Sequence, residues 1–137
     1  MNNEDFVTYE QALALKKLGF REPCLHYYEE GDTKKLHENF NNNEYKDIHI
    51  SDLYYSFNSR NVSIIIDAPT LAQAQKWLRK NKHIHVEPNI VNENTFRYSI
   101  KSIPYSLCRS TRDIFNSYEE ALSTGITECL KLLNEIC

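Results

Sequence analysis

The amino-acid sequence predicts an α+β fold in which three helices pack on a small antiparallel sheet of about four or five strands. Two observations lead to this prediction. A hydroxyl residue followed three positions later by Gln or Glu occurs at three places, a pattern typical of helix N-termini. Between those places lie short runs rich in β-branched and aromatic residues, which are typical of strands. The expected element order is α-β-β-β-α-β-β-α, within a single globular domain spanning residues 1–137.

The three helices are predicted from these caps and from the spacing of apolar residues. The first is expected over 9–18, and Gly19 suits the left-handed position that ends many helices. The second is expected over 71–81, with Trp77 at the edge of its buried stripe. The third has the longest helical period, and Gly125 within it would allow a strand or another helix to approach closely. Its periodic residues are Tyr118, Ala121, Leu122, Gly125, Ile126, Cys129, Leu130 and Leu133.

Clear strand patterns lie between the helices. The run 62–66 is strongly β-branched and is expected to be central in the sheet. The run 24–29 is short, and the run 84–87 is expected to end at Pro88, which has no N–H to donate to a neighbouring strand. The run 95–100 alternates in polarity, and we expect it to form a hairpin with 84–87 through a long polar loop.

Three other stretches have no clear periodicity. Residues 33–46 are Asn-rich and are expected to form an exposed loop. Residues 47–60 fit either a strand or a short helix, and the sequence leaves that choice open. Residues 109–116 are expected to form a polar connection into the last helix.

Composition and motif content weigh against several classes of function. The formal net charge is −3 without a long run of either sign, unlike proteins that neutralise nucleic-acid phosphates. Gly19, Gly31 and Gly125 are far apart, which excludes a P-loop or a dinucleotide-binding loop. G-x-S-x-G and C-x-x-C motifs do not occur. The protein is therefore predicted not to be an enzyme, and no cofactor is predicted.

The sequence also predicts a location. No run approaches the length of about 18 apolar residues needed to span a membrane, and the first residues do not resemble a secretory signal. We therefore expect a cytoplasmic protein whose four cysteines are reduced.

Two histidines invite a metal interpretation. His83 and His85 are separated by one residue, which would place both imidazoles on one face of a strand. Two imidazoles can share a metal ion, but a site needs further ligands, and the spacing identifies none. The alternative is two solvent-facing side chains, so no metal site is predicted. A catalytic Cys–His pair would require spatial adjacency that sequence cannot supply.

Aromatic and basic residues are the strongest candidates for binding. Adjacent tyrosines on a strand must point one ring away from the core, and exposed tyrosine is common at protein interfaces and as a base-stacking surface. Arginines would provide charged partners. The predicted ligand or partner contacts are Tyr27, Tyr54, Tyr55, Trp77, Arg97, Arg109 and Arg112. The stretch 106–113 fits an anion-binding loop or an ordinary solvated connector.

Three segments together resemble a family of short uncharacterised proteins of gut bacteria and their phages. They are FVTYEQA with LGF at 6–20, APTLAQAQKWLR at 68–79 and SYEEAL at 117–122. The resemblance covers about a third of the chain and implies a phage or prophage origin, but it implies no activity. Residues 32–60 depart from the family pattern, and such variable segments are where ligand contacts are expected.

Three functions are compatible with the sequence. The leading hypothesis is a non-enzymatic accessory protein of a phage or mobile element that binds a host component, with counter-defence by binding a host protein as one form. The alternative is a sponge that sequesters a small nucleotide signalling molecule, with Tyr, Trp and Arg converging in a pocket. The second alternative is a nucleic-acid-binding module. No membrane partner is expected, and the sequence leaves a homo-oligomer open.

Overall fold

The computed structural model describes residues 3–29, 36–38 and 65–136, and these residues confirm the α+β class. The helices are α1 (Tyr9–Lys17), α2 (Leu71–Lys82) and α3 (Tyr118–Ile136), preceded by a short 3-10 helix, Asn3–Asp5. The strands are β1 (His26–Glu29), β2 (His37–Glu38), β3 (Ile65–Asp67), β4 (His85–Asn92), β5 (Thr95–Ser102) and β6 (Leu107–Ser110). The chain divides into an N-terminal unit, Phe6–Thr70, and a C-terminal unit, Leu71–Cys137 with Met1–Asp5.

The predicted single sheet is wrong, because the described strands form two separate sheets. The N-terminal unit has the order β2-β1-β3, and the C-terminal unit has the order β4-β5-β6, all antiparallel. β3 covers the end of the run expected to be central, but β1 is the strand with two neighbours. A β-branched composition shows that a strand is buried, and Ile65 and Ile66 are buried. It does not show on how many sides the strand is paired.

Helix α1 begins and ends as its sequence predicts. The backbone N–H of Gln11 donates to Thr8 Oγ1 at 3.2 Å, and Thr8 N–H donates to Gln11 Oε1 at 2.8 Å, which completes a capping box. Gly19 follows the helix with φ of 100°, and the N–H of Phe20 donates to Leu15 O at 3.0 Å. Ala12 and Leu15 of α1 are buried and form part of the core of the N-terminal unit.

The C-terminal unit is built on the β4–β5 hairpin. The predicted long loop is wrong, because Glu93 and Asn94 alone form the turn and the register shifts once between Ile90 and Asn92. Pro88 does not end the strand. The N–H of Thr111 donates to Tyr98 O at 3.1 Å, so the backbone groups of Tyr98 point away from β4. Pro88, which is paired with Tyr98, therefore points its nitrogen away from β5, where no donor is needed.

Strand β6 occupies part of the stretch expected to be a polar connection. Ile100 pairs with Arg109, and Lys101 pairs with Cys108. β6 lies at an edge of its sheet and is largely exposed, so its sequence lacks the apolar alternation that would reveal a half-buried strand. A four-residue turn, 103–106, joins β5 to β6.

Helix α3 packs on one face of this sheet. Gly125 is buried and faces Val86 of β4 and Tyr98 of β5, the close approach that the glycine predicts. Helix α2 packs against β4, where the side-chain Nε2 of Gln75 donates to Val86 O at 2.7 Å. Ile126 and Leu133 on α3 are fully buried, and they anchor the core of the C-terminal unit.

Part of the sequence prediction falls outside the described residues. This applies to all of 47–60, including the open choice between strand and helix, and to 33–46 apart from 36–38. Within 36–38, His37 and Glu38 form β2 where a loop was expected. Among the described helices, none is long and apolar enough to cross a membrane.

Candidate functional site

The sheet of the C-terminal unit presents two chemically different faces. Its register places Val86 and Ile90 of β4 on the same face as Ile100 and Phe96 of β5, and this face receives α3. Because side chains alternate along a strand, His85 and its neighbours point to the opposite face. The residues of that face are His85, Glu87, Asn89, Arg97, Ser99, Lys101 and Cys108. The two faces carry two candidate sites.

The first site is an apolar surface at the turn end of the hairpin, which we call the aromatic patch: Ile90, Phe96, Phe115 and Tyr118. Ile90 is paired with Phe96, and Phe96 forms an isolated bridge with Phe115 through two backbone hydrogen bonds of 2.9 and 2.8 Å. The rings of Phe96 and Tyr118 meet edge to face at 6.1 Å. These contacts place the four side chains on one continuous surface.

The patch is exposed because the first turn of α3 does not extend over it. α3 begins at Tyr118, where the Ser117 hydroxyl accepts a hydrogen bond of 3.0 Å from Glu120 N–H. The hairpin continues past this point, and Ile90 is 72% exposed, while Tyr118 is 44% exposed. Phe115 is held further by its ring contact of 5.9 Å with Tyr98. The patch therefore presents rings in fixed positions to solvent.

Burial accounts for the electrostatic state of the tyrosine behind the patch. Tyr98 lies under Gly125 of α3, and this burial, followed by the nearby carboxylate of Glu128, raises the pKa of Tyr98. Its hydroxyl stays neutral over the physiological range. The surface next to the aromatic patch therefore carries no charge from this ring.

The second site, which we call the charged cleft, lies on the opposite side of the sheet from the aromatic patch. It has a volume of about 600 Å³ and is formed by the end of α2, by β4 and by the β5–β6 turn. Its lining residues are Arg79, His83, His85, Glu87, Lys101, Ser102, Ile103, Pro104, Leu107 and Cys108. His85 Nδ1 lies 3.8 Å from Glu87 Oε1. This volume is within the range of small-molecule sites.

The sequence-predicted arginines do not come together in the C-terminal unit. Arg97 is exposed on the face of the charged cleft, whereas Arg109 is paired with Ile100 and lies on the α3 face. Arg109 Nη1 is 3.5 Å from Glu128 Oε1 on α3, which gives it an intramolecular partner. Arg112 is exposed in the segment after β6. Arg109 and Ser110 are adjacent on β6, so their side chains point to opposite faces of the sheet. They do not converge as the predicted anion-binding loop at 106–113 would require.

The predicted aromatic contacts have varied surroundings. Trp77 is buried within α2, only 6% exposed, and Lys82 Nζ lies 5.8 Å from its ring centroid. Tyr27 is half-buried in β1, and its ring stacks on His37 with centroids 5.0 Å apart. Tyr54 and Tyr55 lie outside the described residues. Trp77 is thus part of the core stripe of α2, not its edge.

The described residues include histidines and thiols that bear on metal binding. Within the described ranges, no three His, Cys, Asp or Glu side chains are close enough together to hold a metal ion. His83 and His85 do share the charged cleft, but His83 precedes β4, so the two are not on one strand. Cys24 and Cys129 are buried thiols, and Cys108 is an exposed thiol.

The aromatic patch and most of the charged cleft are not among the residues that the sequence predicts for binding. A signal for the patch was present, because Ile90 and Val91 follow Pro88 in a strand that could continue. The cleft has no local signal, since its lining is collected from one helix and three strands or their turn. No protein-family model, curated protein or solved structure matches the chain.

Proposed function

We propose that the chain is a non-enzymatic binding protein that docks a host protein through the aromatic patch. The observation that carries the proposal is the joint exposure of Ile90 and Tyr118 on a surface continuous with Phe96 and Phe115. When a partner covers exposed apolar surface and removes it from water, the complex is stabilised by roughly 25 cal/mol per Å². Contiguous patches of this kind mark interaction sites more often than isolated exposed side chains do.

The rigidity of the rings supports this role. Phe96 is fixed by its backbone bridge to Phe115 and by its edge-to-face contact with Tyr118. Rings that are already ordered lose little rotamer freedom when a partner binds, which favours affinity. Aromatic anchors are also enriched among the residues that contribute most to binding. Ile90 projects from the hairpin beside these rings. The partner that fits best would therefore have an apolar recess that accepts Ile90.

The free edge of β4 is poorly suited to pairing with a strand from a partner, which favours recognition through side chains. Pro88 directs no N–H toward that edge, and the carbonyl of Val86 already accepts a hydrogen bond from Gln75. An incoming strand would therefore lose two of the backbone hydrogen bonds that make strand addition favourable. The aromatic patch is left as the better docking surface of this sheet.

The resemblance to phage proteins suggests where the partner is found. Under a phage or prophage origin the partner is a protein of the bacterial host, and counter-defence is one role that such binding would serve. What the patch specifies is the chemistry of the partner, an apolar recess that accepts Ile90.

The experiment compares three tagged proteins in quantitative affinity purification from bacterial lysate: the wild type, Ile90→Asp and Leu25→Asp. Leu25 is a matched control, because it is an exposed apolar residue of the N-terminal unit. We expect one stoichiometric protein with the wild type and with Leu25→Asp, and its loss with Ile90→Asp. Equal recovery with all three proteins, or recovery with none, would count against the proposal. Thermal unfolding of each variant checks that the fold is retained.

A further inference from the structure

The charged cleft receives Arg79 from α2 and His83 from the residue that follows this helix. Gln75 and Arg79 are four residues apart, so they follow one another along one side of α2. Gln75 is fixed on Val86 O, which holds this side of α2 against the edge of β4. Arg79 therefore lines the cleft as a consequence of helical spacing and of one hydrogen bond.

The opposing wall is a row of paired residues. His85 is paired with Lys101, and Lys101 is paired with Cys108, so the three side chains lie side by side across β4, β5 and β6. Glu87 is the next residue on the same face of β4, and its carboxylate faces the His85 imidazole at 3.8 Å. The Glu87 carboxylate is thus an ion-pair neighbour of the His85 imidazole, and the described ion pairs include none between Glu87 and Arg79 or Lys101.

The cleft holds two permanent positive charges, on Arg79 and Lys101. In the parts of the chain that the structure describes, neither Arg79 nor Lys101 takes part in an ion pair. The C-terminal end of α2 contributes a partial negative charge, which the basic residues of its last turn offset. Taken with the single carboxylate, Glu87, the lining has an excess of positive charge before either imidazole is protonated.

The backbone adopts a conformation that side chains rarely tolerate at one residue of the cleft lining and at a second residue beside the lining. Among the described residues, only His83 and Ser106 are non-glycine residues with positive φ, of 57° and 54°. His83 lines the cleft, and Ser106 ends the turn that carries Ile103 and Pro104. Such residues cluster at binding sites because a functional side chain is kept at some cost in stability. Glycine would satisfy the chain reversal at position 83 without an imidazole.

From these observations we propose that the charged cleft binds a phosphorylated small molecule of about nucleotide size. Arg79 and Lys101 would hold the phosphate by charge-assisted hydrogen bonds. The apolar remainder of the ligand would lie on Ile103, which is 93% exposed, and on Pro104. This site is on the other face of the sheet from the aromatic patch, so it is an activity beyond the docking of a protein.

The test is isothermal titration calorimetry of the full chain with three probes: inorganic phosphate, adenosine monophosphate and citrate. We expect saturable one-to-one binding of the nucleotide, weaker binding of phosphate, and citrate weaker than the nucleotide. Citrate binding as tight as the nucleotide would overturn the proposal, because the cleft would then select carboxylates or charge alone. Absence of saturable binding of both phosphate and the nucleotide at millimolar concentrations would also overturn it.

Matched variants locate the bound probe. Arg79→Gln and Lys101→Gln each remove one charge from the cleft and are expected to weaken nucleotide binding about tenfold or more. Lys80→Gln removes the same charge from the adjacent residue of α2, which is exposed and outside the lining, and should change affinity less than about twofold. An equal loss in Lys80→Gln and Arg79→Gln would indicate diffuse attraction and would overturn the assignment.

A second readout does not depend on affinity. Cys108 belongs to the cleft wall, and its thiol is exposed. In a Cys137→Ser background, saturating nucleotide should slow the reaction of Cys108 with a thiol reagent several-fold. An unchanged rate at saturation would place the bound nucleotide elsewhere on the protein and would overturn the proposal even if calorimetry showed binding.

Discussion

Gly125 of α3 and Val86 of β4 approach so closely that a Cβ atom on residue 125 would lie 2.8 Å from Val86 Cγ1. The same atom would lie 3.1 Å from the Tyr98 ring. Val86 is fully buried and β-branched, so it has no second rotamer into which it can move easily. The absence of a side chain at position 125 therefore sets the distance between α3 and its sheet.

The substitution Gly125→Ala should destabilise the protein although it improves helix propensity. Alanine gains up to about 1 kcal/mol over glycine within a helix, whereas overpacking a core costs about 1–3 kcal/mol. We expect a net loss of about 1–2 kcal/mol in the free energy of unfolding, measured by urea denaturation. In a Val86→Ala background the same substitution should be neutral or stabilising, because the clashing methyl group is gone. An identical loss in both backgrounds would refute the close contact as the cause.

Replacing His83 with glycine should stabilise the chain by about 0.5–1 kcal/mol. His83 has a left-handed conformation, which costs a residue with a side chain about 1–2 kcal/mol. Glycine removes this cost, but its greater freedom in the unfolded state offsets part of the gain. The reciprocal substitution is Gly19→Ala, at φ of 100° with no atom within 4 Å of the added Cβ. It should cost about 1 kcal/mol through conformation alone. Denaturation midpoints that move in the same direction for both variants would contradict this reasoning.

The substitution Tyr28→Phe tests a buried hydrogen bond of the N-terminal unit. Tyr28 Oη donates to Val7 O at 2.7 Å, and both residues are buried. Removal of the hydroxyl leaves that carbonyl without this donor, at an expected cost of about 1–2 kcal/mol in the free energy of unfolding. Tyr118→Phe is the control, because its ring is exposed, and it should change stability by less than about 0.5 kcal/mol.

The stability of the protein should fall as the pH is lowered through the titration of His26. Burial is the main cause that lowers the pKa of His26 below its usual 6.5, Glu38 opposes the shift, and the ring also packs on Phe6 at 4.2 Å. The unfolded imidazole binds a proton more readily than the folded one. The stability that depends on a neutral His26 is therefore fully present above about pH 6.5. It is lost as the pH falls through the pKa of His26 in the folded protein. His26→Phe should flatten this part of the stability profile, and an unchanged slope would exclude His26 as its source.

Thiol reactivity should separate the described cysteines. Burial raises the pKa of Cys129 to about 12 and raises that of Cys24 further, with Asp67 and Glu22 adding to the effect. Neither thiol forms appreciable thiolate at pH 8, whereas Cys108 is exposed. In the Cys137→Ser variant, Ellman's reagent should therefore detect one thiol in the native protein and three in denaturant. Detection of two or three in the native state would show that a buried segment opens.

The helices follow from the sequence because their causes are local. The Thr8–Gln11 capping box, the left-handed Gly19 and the apolar period of α3 each involve residues within a few positions of one another. Local hydrogen bonds and spacing act in the same way whatever the rest of the chain does. The same is true of the two faces of β5, whose alternation the structure confirms.

The strands and the sites depend on distant residues, and here the sequence prediction was incomplete or wrong. Pro88 stays in β4 because Tyr98, its partner on β5, directs its backbone to Thr111, the residue after β6, and β6 lacks any local apolar signal. The division into two sheets is likewise a choice among strand partners, which composition does not encode.

The sequence by itself determined the α+β class, the three helices and the lack of familiar catalytic loops, because each of these depends on neighbouring residues. Only the tertiary structure decided which strands pair, that α3 leaves Ile90 exposed beyond Tyr118, and that Arg79 meets Lys101 in one cleft. The physical reason is that strand pairing and side-chain convergence depend on contacts between residues far apart in the chain, which no short stretch of sequence contains.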